Sequence, residues 1–368
     1  MLIIGCDFHP SGQQVYAVET ETGEIVADRW LAHEGEEVRK FYRDLAGGAR
    51  VGVEASGNML WFERLLEQCG HELKVGDAAA IRAKDPRKQK HDRRDAKLIW
   101  RLLVSGEFPE IWVPSLAERD LRQLLVHRDK LVRMRTRIKC QLQHLALNQG
   151  LQKKRKLWTK EGRKVLEGLE LEPWTRRRRN DLLQLLDSLE EQCKQLDMAA
   201  ELAAKASPQA RLLMTHVGVG PIISLGMVLT LGDVSRFRNS RKLISYLGLN
   251  PSEESSGDRH RLGSISKQGS SFMRFLLVQG AQTAARADDG LARQYRRLAV
   301  QKHRGIAKVM VARKLAVRMY WMLRTNTPYP EVVVRMRGSS SHPVVQGPTC
   351  LSERPASPAQ AVSRKAES

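Results

Sequence analysis

The first hundred residues alternate short apolar strand patterns with amphipathic helical patterns, which favours a mixed α/β fold. Turn signals at Ser11-Gly12 and Thr22-Gly23 separate the first three strand patterns. Strands are predicted at residues 2–7, 14–19, 24–31, 50–54 and 73–76, and helices at 34–45, 58–69 and 92–104. The resulting order, βββαβαβα, is typical of a mixed sheet with helices packed on it.

Residues 111–207 have a different, helical pattern. On a helix predicted over 116–147, Leu124, Leu131, Ile138 and Leu145 recur every seven residues, and apolar residues at 182–203 step by four and three, as in a coiled coil. Basic runs at 153–156 and 176–179 lie between the two helices. Two interpretations stay open. One is an intramolecular helical hairpin with solvated charges, and the other is a dimerising coiled coil whose basic loop touches nucleic acid.

The rest of the chain divides into a compact region and a tail. Residues 208–330 are rich in glycine and mostly helical in pattern, whereas 331–368 are rich in Ser, Pro and Ala and are predicted to be disordered. The predicted domains are therefore 1–110, 111–207 and 208–330, followed by the tail.

The charge of the chain indicates its class of partner. Lys and Arg number 62 against 41 Asp and Glu, a formal charge of +21, which predicts a polyanionic partner such as nucleic acid. Five scattered cysteines form no CxxC pair, so neither a zinc site nor a disulfide framework is expected. The first residues lack the basic region of a signal peptide, and the apolar stretch 306–323 carries four Lys or Arg, so we expect a cytoplasmic, nucleoid-associated protein without a membrane span.

Four acidic residues lie at predicted strand and helix ends. Asp7 ends the first strand, Glu54 ends the fourth, and Asp92 and Asp95 lie three residues apart at a helix start, on one face. Such carboxylates would repel one another without a cation, and hard oxygen ligands select Mg²⁺ or Mn²⁺. Taken singly, each acid is more simply a helix cap or a solvated strand end. In combination they predict a metal-binding site.

The 208–330 region contains a glycine turn and a polar loop. Gly218 and Gly220, in VGVGP, could let a phosphate approach backbone N–H groups, as in helix-hairpin-helix DNA-binding turns, or could form a tight turn without a ligand. In the loop, Lys267 and Arg274 are phosphate contacts or solvated charges. Ser256 is a phosphate ligand, a nucleophile that needs a base or metal nearby, or a simple turn residue.

The acids of the first domain resemble those of RuvC-type nucleases with a DEDD set, which implies an RNase H-like fold. The order of motifs along the whole chain is similar to the DEDD transposases of the IS one-ten and IS eleven-eleven insertion sequences. The motifs are IGCD at 4–7, VGVEASG at 51–57, KHDRRDA at 90–96, VGVGP at 217–221, GDVSRFRNSRKLISYLGLNP at 232–251, SSG at 255–257, GSISKQGSSFMR at 263–274 and a helix at 306–323.

This resemblance implies a fold and a chemistry. The fold would be an α/β RNase H-like (RuvC-like) N-terminal domain, a central helical coiled coil and a mostly α-helical C-terminal domain with a helix-hairpin-helix-like turn. Asp7, Glu54, Asp92 and Asp95 would bind Mg²⁺ (or Mn²⁺). Ser256 would attack a DNA phosphate to form a phosphoserine. Ser255 is its neighbour, but Ser256 directly precedes the glycine, as in the family.

The resemblance also implies partners. These would be donor and target DNA, a structured guide RNA that pairs with both, and further copies of the chain in a dimer or tetramer, with the acids and the serine of one site coming from different protomers. The chain departs from the family where Phe8-His9-Pro10 follows Asp7 in place of a lysine, and where Asn58 follows ASG. Two other functions stay open: a junction-resolving nuclease that uses the acids and water alone, and a non-catalytic nucleic-acid-binding protein.

Overall fold

The chain folds into two compact units. The computed structural model describes residues 1–85, 92–152, 156–253, 262–329 and 331–338. Met1–Ser115 forms the first unit, and the second begins at Leu116. The division of the second unit into 111–207 and 208–330 stays a prediction.

The first unit is a five-stranded sheet with helices. Its elements are β1 (Leu2–Phe8), β2 (Gly12–Glu19), β3 (Ile25–Ala32), α1 (Glu37–Arg43), β4 (Ala49–Glu54), α2 (Leu60–Gln68), β5 (Glu72–Gly76), α3 (Ala78–Lys84) and α4 (Asp92–Val104). The strand order is β3-β2-β1-β4-β5, with β1, β4 and β5 parallel to one another and β2 antiparallel to both β1 and β3. The predicted mixed α/β architecture is confirmed.

The core of the first unit forms around β1 and β4, which lie at the centre of the sheet. Ile4, Val51 and Val53 are fully buried and pack in one cluster with Phe62 and Leu66 of α2. These strands are nearly continuous apolar runs because their neighbours and the helices cover them on both faces. The central position of β1 and β4 places their carboxyl ends side by side.

The second unit is mostly helical. Its helices are α5 (Leu116–Asn148), α6 (Lys160–Glu167), α7 (Pro173–Ala206), α8 (Pro208–Met214), α9 (Pro221–Leu231), α10 (Ser240–Tyr246), α11 (Ser271–Ala287), α12 (Asp289–Gln301), α13 (Arg304–Thr325) and α14 (Glu331–Gly338). Two short strands, β6 (Pro251–Glu253) and β7 (Leu262–Ile265), form an antiparallel pair.

The two long helices, α5 and α7, pack against each other within the chain. Buried residues of α5, such as Ile138 and Leu142, share a cluster with Leu182 and Leu186 of α7. The ion pairs Lys139–Glu190 and Arg128–Asp197 join residues whose numbers run in opposite directions, so the helices are antiparallel. The heptad residues of α7 are thus used in an intramolecular hairpin, the first of the two interpretations of the sequence.

Helix α14 lies within the range 331–368 that the sequence predicts to be disordered. Its Val332 is 2% exposed and packs with the core formed by α9, α11 and α13. The prediction is therefore wrong for residues 331–338, where buried Val332 and partly buried Val333 pack a short helix on this core. Residues 339–368 lie outside the described part of the chain. No helix among the described residues is long and apolar enough to cross a membrane.

Candidate active site

Asp7 and Glu54 stand at neighbouring strand ends. Strands β1 and β4 run parallel, with Cys6 paired to Val53, and the two acids are the next residue on each strand. Parallel neighbours bring their carboxyl ends to the same edge of a sheet, and crevices at that edge are common ligand sites in α/β proteins. Asp7 is 8% exposed, whereas Glu54 is half-buried. The sheet alone therefore brings two of the predicted acids to one edge.

Helix α4 brings Asp92 to the same place because it packs unusually close to β1 and β4. A Cβ atom added to Gly5 would overlap the carbonyl oxygen of Ala96 and lie 2.5 Å from the Trp100 nitrogen. One added to Gly52 would lie 2.5 Å from a methyl carbon of Leu103. A glycine inside a strand often marks such a close approach. These two glycines let the helix lie directly on the strands.

His9 joins Asp7 to Asp92. Its Nε2 lies 3.2 Å from Asp7 Oδ2 and 3.6 Å from Asp92 Oδ1. One potential ligand atom from each of these three residues lies within 4.8 Å of the others. Asp95 is half-buried one turn further along α4. Of the four predicted acids, the structure brings Asp7 and Asp92 into this trio. Asp95 lies on the same helix as Asp92, and Glu54 ends the strand that neighbours β1, but neither belongs to the trio.

The donor set fits a divalent cation. Two carboxylates offer the hard oxygen ligands that Mg²⁺ and Mn²⁺ prefer, and imidazole nitrogen is a common ligand for other first-row metals. Asp7 is largely removed from water, which makes its negative charge costly beside Asp92 unless a cation neutralises it. In the sequence, His9 is notable only as part of Phe8-His9-Pro10, which follows Asp7 where the family has a lysine.

Asp28 anchors helix α4 on the side of β3. Its Oδ1 lies 2.8 Å from Arg93 Nε and its Oδ2 lies 3.0 Å from Lys97 Nζ. The hydrogen bond from Arg93 is the main cause that lowers the pKa of the Asp28 carboxyl. Because Arg93 follows Asp92 directly, this contact fixes the first turn of α4 beside the site. Sequence reasoning missed Asp28, which is 65 residues from Arg93.

Aromatic residues surround the strand ends. Phe8 packs against His33 and Trp61, with ring centroids 4.7 and 6.0 Å apart, and His9 lies 5.8 Å from Trp30. Trp30 is 41% exposed and Trp61 is 36% exposed. Both indole side chains are therefore partly exposed to solvent near the acids. Such a surface is suited to stacking on bases.

The two glycines of the VGVGP turn differ in their surroundings. Gly218 has φ +87°, and a Cβ there would lie 2.6 Å from the carbonyl oxygen of Gly280 on α11, so a glycine is required for packing. Gly220 is exposed at the start of α9, and a Cβ there would meet nothing within 4 Å. Only Gly220 leaves room for a phosphate to approach the backbone.

A buried polar network lies beside this turn. The Arg318 guanidinium is 3.2 Å from both Asp288 Oδ1 and His216 Nε2, and the Tyr329 hydroxyl donates to the second oxygen of Asp288. Burial lowers the pKa of His216 to about 4, so its ring is neutral at pH 7. The residues come from the α8–α9 connection, the N-cap of α12, helix α13 and the segment after it, so their separation along the chain hides the network from sequence reasoning.

The polar loop is held by its own backbone and by Arg274. The Arg274 guanidinium donates to the carbonyl oxygens of Gln268, Gly269 and Leu247, which ties the loop to the end of α10. Lys267 is exposed, with φ +57°. Ser255 and Ser256 lie outside the described residues, in the connection between β6 and β7. The structure thus describes the base of the loop that carries the predicted nucleophile.

Two family models match the chain. Residues 4–149 match a DEDD transposase model of the IS110 type, and residues 210–296 match the model described as "Transposase IS116/IS110/IS902 family". The first match contains Asp7, Glu54, Asp92 and Asp95, and the second contains the VGVGP turn and the polar loop. Each of the two candidate regions therefore falls inside its own matched domain.

Several curated proteins are similar along the chain. A "Probable family 20 transposase" of Pseudomonas aeruginosa is 26% identical over 340 residues, which cover 89% of this chain and 98% of the relative. The transposase for insertion sequence element IS1111A of Coxiella burnetii is 30% identical over 54% of this chain and 55% of its own length. The transposase for insertion sequence element IS1328 of Yersinia enterocolitica is 27% identical over 75% of this chain and 84% of its own. With both of its characteristic domains matched in order, the chain belongs to the IS110 family of insertion-sequence transposases.

Proposed function

We propose that this transposase cuts and rejoins DNA through a phosphoserine at Ser256, with Asp7, Glu54, Asp92 and Asp95 as the ligands of Mg²⁺ (or Mn²⁺). The observation that carries the proposal is the trio of Asp7, His9 and Asp92 at the carboxyl end of β1, in a domain with a five-stranded mixed sheet. This strand arrangement supports an RNase H-like fold for the first unit. The match of residues 210–296 to a transposase model supports a role for the second unit in the same reaction.

The acids would supply the electrostatic part of the reaction. A bound divalent cation would stabilise the charge that develops on the phosphate and the leaving oxygen. Asp7, being buried, would keep a fixed orientation, and His9 would hold the Asp7 and Asp92 carboxylates at a constant separation. Asp28 would keep Asp92 in place through Arg93. Together these contacts preorganise the ligand set before DNA arrives.

Ser256 would supply the covalent part. Its Oγ would attack a DNA phosphorus, and an Oγ–P bond would form as the bond from phosphorus to the leaving DNA oxygen breaks. The serine hydroxyl would give up one proton and the leaving oxygen would take up one, through solvent, to become a free hydroxyl. Attack by a DNA hydroxyl on that ester would then release the serine and rejoin the strands. The short β6–β7 pair, with Pro251 opposite Ile265, holds the two ends of the segment that contains Ser256.

The partners would be donor DNA, target DNA and a structured guide RNA, held by a dimer or tetramer in the cytoplasm. The charge of +21 supports contacts to many phosphates. The exposed backbone at Gly220 and the exposed Lys267 are candidate phosphate contacts in the second unit. Arg274 is better assigned to holding the loop, because its guanidinium already donates to three carbonyl groups.

The test is a search for a covalent protein–DNA adduct. The purified chain is incubated with Mg²⁺, RNA transcribed from the flanking element and donor and target DNA, and the products are separated on a denaturing gel. We expect an adduct with wild type and with Ser255→Ala, but none with Ser256→Ala or Asp7→Ala. Ser255→Ala is the matched control, because it removes a serine hydroxyl from the neighbouring residue.

Other outcomes favour the alternative functions. Strand cleavage that survives Ser256→Ala would assign the chain to the water-using, junction-resolving nucleases and remove Ser256 from the site. An adduct lost in Ser255→Ala but kept in Ser256→Ala would move the nucleophile by one residue. DNA binding without cleavage in any metal would indicate a non-catalytic protein.

A further inference from the structure

A groove with basic walls lies between the two long helices of the second unit. It has a volume of about 290 Å³, and the described residues that line it are Arg137, Cys140, Gln141 and His144 of α5 and Arg178 of α7. None of these five residues is acidic, and all five are exposed. The groove therefore presents a local excess of positive charge to solvent.

Three of the four consecutive arginines near the start of α7 have different roles. Arg179 is buried, and its guanidinium donates to the carbonyl oxygens of Leu166, Glu167 and Leu169 at the end of α6. Arg177 pairs with Asp181 at 2.9 Å. Arg178 instead lines the groove opposite Arg137 and His144. A run that looks uniform in sequence thus contains one structural arginine, one neutralised arginine and one that faces a basic cavity.

Trp174, in the first turn of α7, is 86% exposed. It precedes Arg178 by four residues on α7, so the indole and the guanidinium lie on one face of the helix. Large aromatic side chains normally bury most of their surface, and an indole left in solvent beside cations is a stacking surface for a base. Arginine guanidinium groups beside it would bind backbone phosphate.

We propose that the Trp174–Arg178 face of α7 and the groove beside it bind an unpaired strand of nucleic acid, with one base stacked on Trp174 and the backbone phosphates contacting Arg178, Arg137 and His144. A DNA duplex is wider than an α-helix, because its major groove admits a whole α-helix. It therefore does not fit into a groove between two helices that pack directly against each other. An unpaired strand offers a free base face and separate phosphates, which match the two parts of this surface. The residues of this surface are different from the proposed metal ligands and the proposed nucleophile.

The experiment measures binding by fluorescence anisotropy, using the full-length chain in EDTA. The probes are a labelled single-stranded RNA of about 12 nucleotides, the single-stranded DNA of the same sequence, and the blunt DNA duplex. We expect Trp174→Ala to weaken single-strand binding about 10-fold and leave duplex binding unchanged, because loss of stacking affects unpaired bases. Trp174→Phe, which keeps an aromatic face, should stay within about 3-fold of wild type.

Arg178→Gln and Arg177→Gln form a matched pair, because each removes one positive charge and the two positions are adjacent and exposed. Arg178→Gln should weaken single-strand binding about 5-fold and reduce the slope of log affinity against log salt by about 0.7. Arg177→Gln should change affinity less than about 2-fold, because Arg177 is already paired with Asp181. Circular dichroism of each variant checks that the helices are intact.

Each remaining outcome has a definite meaning. Loss on RNA alone would identify the strand as RNA, and equal loss on RNA and DNA would identify it as any unpaired strand. Equal affinities for wild type, Trp174→Ala and Arg178→Gln would overturn the proposal. The proposal would also be overturned if Trp174→Ala formed a smaller oligomer than wild type in the absence of nucleic acid. This face would then be a contact between copies of the chain. Because EDTA removes the metal and no strand is cut, failure of the proposed serine chemistry would not affect this result.

Discussion

Gly5 shows how one residue determines the position of a proposed metal ligand, Asp92. Its lack of a side chain lets Ala96 and Trp100 of α4 lie on β1, and the first turn of that helix carries Asp92. In the sequence, the IGCD motif is notable only because it ends in Asp7. The reason for its glycine appears only when the helix, some ninety residues further along the chain, is packed against the strand.

Replacing Gly5 by alanine should therefore displace α4. We expect Gly5→Ala to reduce the free energy of unfolding by about 3 kcal/mol, because the added Cβ meets backbone atoms that cannot rotate away. Urea unfolding measures this change. Gly57→Ala is the control, since a Cβ at Gly57 meets nothing within 4 Å, and should cost less than about 0.5 kcal/mol. Equal losses in the two variants would contradict the packing explanation.

Asp28 predicts a pH dependence of stability. Its carboxyl pKa is lowered below the ordinary value of 3.8, chiefly by the hydrogen bond from Arg93. A carboxyl with a lowered folded-state pKa stabilises the fold above its unfolded pKa, and this stabilisation is lost as pH falls below 3.8 through the folded pKa. We expect Asp28→Asn to reduce the unfolding free energy by about 1 kcal/mol at pH 7.

The difference between wild type and Asp28→Asn should shrink as the pH is lowered below 3.8, as measured by urea unfolding across that range. Asp44→Asn is the control, because Asp44 is exposed at the end of α1, and it should change stability little at either pH. A deficit in Asp28→Asn that persists unchanged in acid would show that the charge of Asp28 is not what holds α4.

At the scale of elements, local pattern predicted most of the fold. The strands and helices of the first unit follow from apolar alternation and from glycine ends, and only the short helix α3 was missed, although Asp77 caps it. The contacts that build the site were harder to predict. Asp7 and Asp92 could be named from their element ends, but His9 and Asp28 act through contacts that require the folded sheet. Ser256 stays a prediction.

The α5–α7 hairpin gives a prediction at the same scale. Leu186 is 4% exposed in the cluster between the two helices. We expect Leu186→Ala to reduce the unfolding free energy by about 3 kcal/mol, from lost burial and the cavity that remains. Leu202→Ala, at a position of α7 that is 72% exposed, should change it by less than about 0.5 kcal/mol.

The hairpin contact is within one chain, so the loss of stability caused by Leu186→Ala, relative to wild type, should be the same at different protein concentrations. The measurement is chemical denaturation at two concentrations that differ by about tenfold. A loss of stability that appears only on dilution would show that the leucine acts between chains, as in the dimerising coiled-coil interpretation.

At the scale of the whole molecule, the proposed metal ligands and the proposed nucleophile belong to different compact units. The four acids lie in Met1–Ser115, and the segment with Ser256 belongs to the second unit. A chain with this division can build a complete site only if an acid-bearing unit meets a serine-bearing unit, in one chain or in two. The family resemblance implies that the two units of one site come from different chains. The proposed homo-oligomer follows from this implication.

The division into units predicts where a metal acts. A ligand that binds only the folded state raises the free energy of unfolding, by about 2.7 kcal/mol when it is present at about 100 times its dissociation constant. In differential scanning calorimetry of the full chain, Mn²⁺ should therefore raise the unfolding temperature of the transition that contains residues 1–115, and leave the other transition unchanged. Asp7→Asn should abolish the increase, because the ligand set loses the charge of its buried carboxylate. Glu21→Gln, at an exposed position of the turn between β2 and β3, should retain it. In the contrary outcome, Mn²⁺ raises the unfolding temperatures of both transitions equally in wild type and in Asp7→Asn. That result would show that the cation binds generally to the surface and that Asp7 is not a metal ligand.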